Sequence, residues 1–178
     1  MDKKNMDDNM DNMDKDIRGW MKKIEKMKKG EADLSRDEDL SIGLMNLVSL
    51  EEHFYFTAMK TQDGKYLDFM RSTREIRKTM LAKIVTNPQG EEWCISKHLL
   101  AASMRLYEVG TKELSTKGMK EADPFFRAGF DLWSLFFAIN LKLVDPKKLE
   151  KKAMVAEDKK MSKWSELMKK IVDCCKEW

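Results

Sequence analysis

Apolar residues recur three and four positions apart along most of this chain, and no useful length alternates with the two-residue period of a strand. The pattern predicts an all-α protein. Ile17, Trp20, Met21, Ile24 and Met27 mark a first helix, over about 17–29, that Gly30 ends. Leu40, Leu44, Leu47, Val48, Phe54, Tyr55 and Ala58 mark a second, over about 36–60. Ser35, followed three residues later by Glu38, reads as its capping box. After the turn at Gln62, Asp63 and Gly64, a third helix is expected over about 65–86, where Asn87 and Pro88 break it. A fourth runs over about 91–117 and closes near Gly118. Asp123 and Pro124 read as a cap and a first-turn proline opening a fifth, about 124–144, and Asp145 with Pro146 repeats that signal for a last helix.

The short links among the middle four elements favour antiparallel neighbours. The expected architecture is an antiparallel four-helix bundle over about 36–60, 65–86, 91–117 and 124–144. It divides the chain into an acidic, methionine-rich tail at 1–16, read as disordered; a helix and linker at 17–34; a core at 35–145; and a basic amphipathic helix at 146–178.

Placing residues around each helix exposes two anomalies. Glu51 falls in the middle of one apolar arc and Arg77 in the middle of the next. A turn near residue 63, at about 1.5 Å rise per residue, puts them at nearly the same height. A lone buried charge is costly, so the pattern predicts an ion pair, with Tyr55 and Arg74 beside it. It fixes helix register or lines a small polar-ligand site. Ser96, Ser103 and Gly110 stand at heptad spacing near the centre of the fourth helix's apolar arc, where small side chains let helices approach closely. The fifth helix is apolar over more than half its circumference and needs cover on several sides, with Asn140 on that apolar side needing a hydrogen-bond partner.

Composition narrows the picture. Charged residues make up 37% of the 178-residue chain, which places charge on long solvated helix faces, yet the net charge is only +3, too small to argue for nucleic acid by itself. Charge is instead segregated: residues 17–30 carry six Lys or Arg against one Glu, and residues 147–178 carry ten Lys against six acids. Three cysteines without framework spacing, no apolar amino-terminal run and no membrane-length apolar stretch point to a reducing cytoplasmic setting without membrane insertion.

Chemical motifs are weak. Cys94 and His98 stand four apart, a spacing that can hold zinc, and Glu52 with His53 could complete the set. In an up-and-down bundle, however, the second and fourth helices run parallel, which places His53 about 25 Å along its helix and His98 about 10 Å along its own. Neither His53 nor His98 carries the Glu-x-x-His pattern of di-iron bundles or an Arg-x4–6-His signature, and there is no glycine-rich phosphate loop. Methionines in residues 6–13 have a spacing that soft copper accepts, but low-complexity sequence explains them as well. No cofactor is therefore expected, and the chain reads as a binding or assembly module, not as an enzyme. Its partner-facing residues are expected at Trp20, Met21 and Ile24, and at Trp164, Met168 and Ile171, where both ends carry a similar basic, amphipathic phrase that suits a protein partner or self-association. The alternative is a ligand- or metal-binding bundle centred on Glu51, Arg77 and Tyr55, or on Cys94 and His98. A weaker one is nucleic-acid contact through Arg71, Arg74, Lys78 and Lys83 on helix 65–86.

Overall fold

The structure is a computed structural model that describes residues 18, 19, 21, 22, 34–144, 166 and 168. Four helices follow one another: α1 (Leu34–Thr61), α2 (Lys65–Leu81), α3 (Glu92–Lys117) and α4 (Met119–Asn140). They pack as two antiparallel hairpins, α1 with α2 and α3 with α4. The tail at 1–16 and most of the two terminal segments lie outside the described residues.

Each turn has a local cause. Gln62 adopts a left-handed φ of 56°, and its N–H donates to the Ala58 carbonyl at 2.8 Å, which stops α1. The Asp63 carboxylate then accepts the Lys65 N–H at 3.0 Å and opens α2. The third link is shortest: Gly118 alone separates α3 from α4, at φ 86° and ψ 178°. That conformation is open essentially to glycine only.

Three boundaries differ from the sequence pattern. Ser35 lies inside α1 instead of capping it, since the helix already includes Leu34. α2 stops at Leu81, and residues 82–86 form turns in which Ile84 and Val85 reach the core. Three consecutive β-branched residues, Ile84, Val85 and Thr86, disfavour a continued helix, and Asn87 must leave the α region before Pro88. α4 begins five residues before Pro124. The proline removes a hydrogen bond to the carbonyl of exposed Lys120, which water can satisfy.

The α3–α4 seam is built from small residues. Ser103 Oγ donates to the Gly129 carbonyl at 2.7 Å, and Asn140 Nδ2 donates to Ser96 Oγ at 3.0 Å. Asn140 thereby finds the partner its apolar setting demands. A Cβ on Gly129 would lie 3.2 Å from the Ser103 carbonyl oxygen, which is backbone and cannot swing away. Gly129→Ala is expected to cost about 1–3 kcal/mol through this overpacking, read as a lower urea midpoint at unchanged slope.

The two hairpins meet over one core. Leu44 of α1, Leu81 at the end of α2, Leu100 of α3 and Phe136 of α4 are all fully buried and belong to one apolar cluster. Trp133 Nε1 donates to Ser41 Oγ at 2.8 Å, tying α4 to the start of α1. This is how the apolar circumference of α4 is covered: by α3, by α1 and by the turn after α2. Met168 is buried in the same cluster. α1 also packs on α3. One groove between them joins Tyr55 to His98, and another joins Ile42 to Tyr107, so residue numbers rise along α1 as they fall along α3. The pair does not run parallel as it would in a simple up-and-down bundle.

Candidate functional site

Glu51 and Arg77 meet between α1 and α2. Arg77 Nε donates to Glu51 Oε1 at 2.8 Å, and its Nη2 donates to Oε2 at 3.3 Å. Arg74, one turn earlier, donates from Nε to Oε2 at 2.9 Å. Both carboxylate oxygens are therefore occupied by guanidinium donors. The Glu51 and Arg77 side chains are buried, whereas Arg74 is half exposed at the surface. Burial pushes the Glu51 carboxyl pKa up, but the hydrogen bonds and charges of Arg77 and Arg74 outweigh it and hold the group below its ordinary value. Such a carboxylate stays ionised at neutral pH and is unsuited to act as a general acid.

Beside this cluster lies a groove of ≈ 600 Å³ between α1 and α3. Val48, Met70, Ala101, Ala102 and Met104 supply apolar walls, and Glu51, Glu52, Tyr55, Arg74, His98 and Arg105 supply polar ones. Glu52 and Arg105 are themselves paired across the α1–α3 contact. The structure thus draws together parts of two candidates that were separate in sequence. Glu51, Tyr55, Arg74 and His98 share one groove. Arg77 sits behind its wall, and Cys94 is exposed elsewhere on the helix. His53 also points elsewhere, its ring against Phe54. Among the described residues no three His, Cys, Asp or Glu side chains group to hold a metal ion. Arg105 and Met104 were not singled out by sequence, and Glu52 was considered only as a metal ligand beside His53. Their role depends on how α1 crosses α3, which helical periodicity does not encode.

The basic face of α2 is largely neutralised by carboxylates of α2 itself and of α1. Arg71 pairs with Asp68 at 3.6 Å, Lys78 with Glu75 at 3.0 Å and Arg74 with Glu51, while Lys83, also expected on this face, is an exposed cation in the turn after the helix. A phosphate backbone would have to compete with these pairs.

Of the expected docking residues, Trp20, Ile24, Trp164 and Ile171 lie outside the described residues. Met21 is half-buried in a helical segment. Met168 is in the core, 3% exposed, and is not displayed to a partner. No helix among the described residues is long and apolar enough to cross a membrane. Comparison with known protein families, curated proteins and solved structures finds no match to this chain.

Proposed function

We propose that this protein is a non-catalytic helical module that works through protein–protein contacts, and that the α1–α2 hairpin presents the contact surface. The observation that carries the reading is where apolar surface remains. Of the ten large hydrophobic side chains exposed among the described residues, seven lie on α1 or α2. Tyr55, Phe56 and Met59 form a stripe at helical spacing near the end of α1. Phe69 and Ile76, seven residues apart and both about half exposed, form a second on α2. Isolated exposed apolar residues are ordinary, but aromatic clusters of this kind are typical of contact sites.

Two paired substitutions test it: Phe56→Glu with Met59→Glu, and Phe69→Glu with Ile76→Glu. Native mass spectrometry and sedimentation on gently purified full-length protein should show self-association or a bound protein in the wild type. At least one pair should weaken it by about tenfold or more. A wild type that is monomeric and bare, and matched by both variants, would overturn the proposal.

A second reading is favoured by the convergence of Tyr55, Arg74, His98 and Arg105 on an apolar-walled groove of ligand size. It is a site for a small polar or anionic molecule. The same mass measurement reads it as a retained small mass that Tyr55→Phe combined with His98→Ala removes.

A further inference from the structure

A second groove lies between α1, α3 and α4, with a volume of ≈ 810 Å³. Its walls are mostly apolar and aromatic. Tyr107 and Phe126 form one tilted pair in the lining, ring centroids 6.3 Å apart, and Phe130 and Trp133 form another at 5.5 Å. The charged side chains among its described lining residues are both carboxylates, Glu38 on α1 and Glu108 on α3. The groove beside Glu51 differs, since its wall mixes carboxylates with two arginines and a histidine.

We propose that this groove binds a small organic cation, a protonated amine carried on an aryl or alkyl body. The groove shares only Met104 with the one beside Glu51 and none of the exposed stripes on the α1–α2 hairpin. It therefore stands or falls separately from both readings above.

Three features select this ligand. The first is sign. No Lys, Arg or His is among the described lining residues, so an anion would meet carboxylates alone. Glu38 has a contact of its own. Glu108, half-buried and without an ion pair among the described residues, is therefore the ligand's counter-ion. Beside an apolar wall its attraction for an ammonium is screened less than in open water.

The second is the hydrogen-bond inventory. The wall's main donors are already committed. Trp133 Nε1 donates to Ser41 Oγ at 2.8 Å, Ser103 Oγ to the Gly129 carbonyl at 2.7 Å and Asn46 Nδ2 to the Ile42 carbonyl at 3.0 Å. What the wall chiefly offers is acceptors, so the ligand must bring the N–H donors. The third is the rings. The face of Trp, Tyr or Phe attracts a cation within about 6 Å, and the same rings cover an apolar body. A groove of this volume lies within the usual range for small-molecule sites, which fits a free small molecule.

Phenylbutylamine, phenylbutanol and phenylbutyrate share one body and differ in charge, so NMR titration of each into the full-length protein near neutral pH tests the proposal. The amine should bind about tenfold more tightly than the alcohol, and the carboxylate more weakly than either. Glu108→Gln should lower the amine's affinity about fivefold while leaving the alcohol's unchanged. Glu75→Gln, an equal change of charge at an exposed position of α2, should alter neither. Tyr107→Ala, at a side chain 52% exposed, should weaken amine and alcohol together with the urea midpoint unchanged. The proposal is overturned if the amine does not bind at millimolar concentration or binds no better than the alcohol. It is equally overturned if the preference survives Glu108→Gln, or if Tyr107→Ala leaves the binding of both intact.

Discussion

Arg77→Ala is expected to destabilise the fold by about 3 kcal/mol or more, the usual cost of breaking a buried ion pair on one side. Glu51 would keep only Arg74, whose guanidinium is half exposed and partly screened by water. The buried Oε1 would lose its donor outright. Replacing both partners together, as Glu51→Leu with Arg77→Met, should cost less than Arg77→Ala alone, because no charge is then stranded. The same pair sets a pH dependence. The Glu51 pKa is held below its ordinary value in the folded state. Its contribution to stability is therefore complete above the ordinary glutamate value and is lost as pH falls through the lower folded value. Wild-type stability should decline as pH drops below about 5, and the decline should be shallower in the Glu51→Leu, Arg77→Met protein. Urea unfolding of the three proteins across that range decides the matter. An Arg77→Ala midpoint within error of wild type would mean that the pair is not structurally important.

What was readable in advance follows the range of the interaction. The helices declare themselves through local periodicity, and the Glu51–Arg77 height match needs only one turn and the rise per residue. The α3–α4 seam was readable for the same reason, as small residues every seventh position mark the face that a neighbour approaches. The boundary errors are also local. Pro124 is common in a first turn, but Gly118 allowed helical backbone to begin earlier, at Met119. Ser35 has the chemistry of a cap, but the chain is already helical before it. The crossing of α1 over α3 was not readable. It depends on contacts such as Glu52 with Arg105, fifty-three residues apart, and it puts His98 beside Tyr55 and opens the two grooves. The small-ligand reading rests on a surface created by that crossing, so helix-by-helix inspection could name some of the residues but not the site.

Phe136→Ala is expected to cost about 3–5 kcal/mol, through lost burial and the cavity left behind. Phe136 is fully buried, packs edge-on against Phe137 with ring centroids 5.1 Å apart, and its carbonyl accepts from Asn140 Nδ2. By contrast Phe56→Ala, at a side chain 52% exposed, should cost under about 1 kcal/mol. The form of the Phe136→Ala transition matters as much as its size. Leu44 and Leu81 belong to the first hairpin, Leu100 and Phe136 to the second, and all four lie in one buried cluster. If that shared cluster is the principal link between the hairpins, the variant still unfolds in one cooperative step at a lower urea midpoint, with helicity and tryptophan fluorescence coincident. Should the α3–α4 signal move while that of α1–α2 stays fixed, the hairpins would be separate folding units and the grooves between them hinges. With Trp20, Trp164 and Trp178 replaced by Phe, tryptophan fluorescence reports this directly, because Trp93 and Trp133 lie on α3 and α4, while backbone circular dichroism senses all four helices. One coincident transition would establish the grooves as fixed features of a single core.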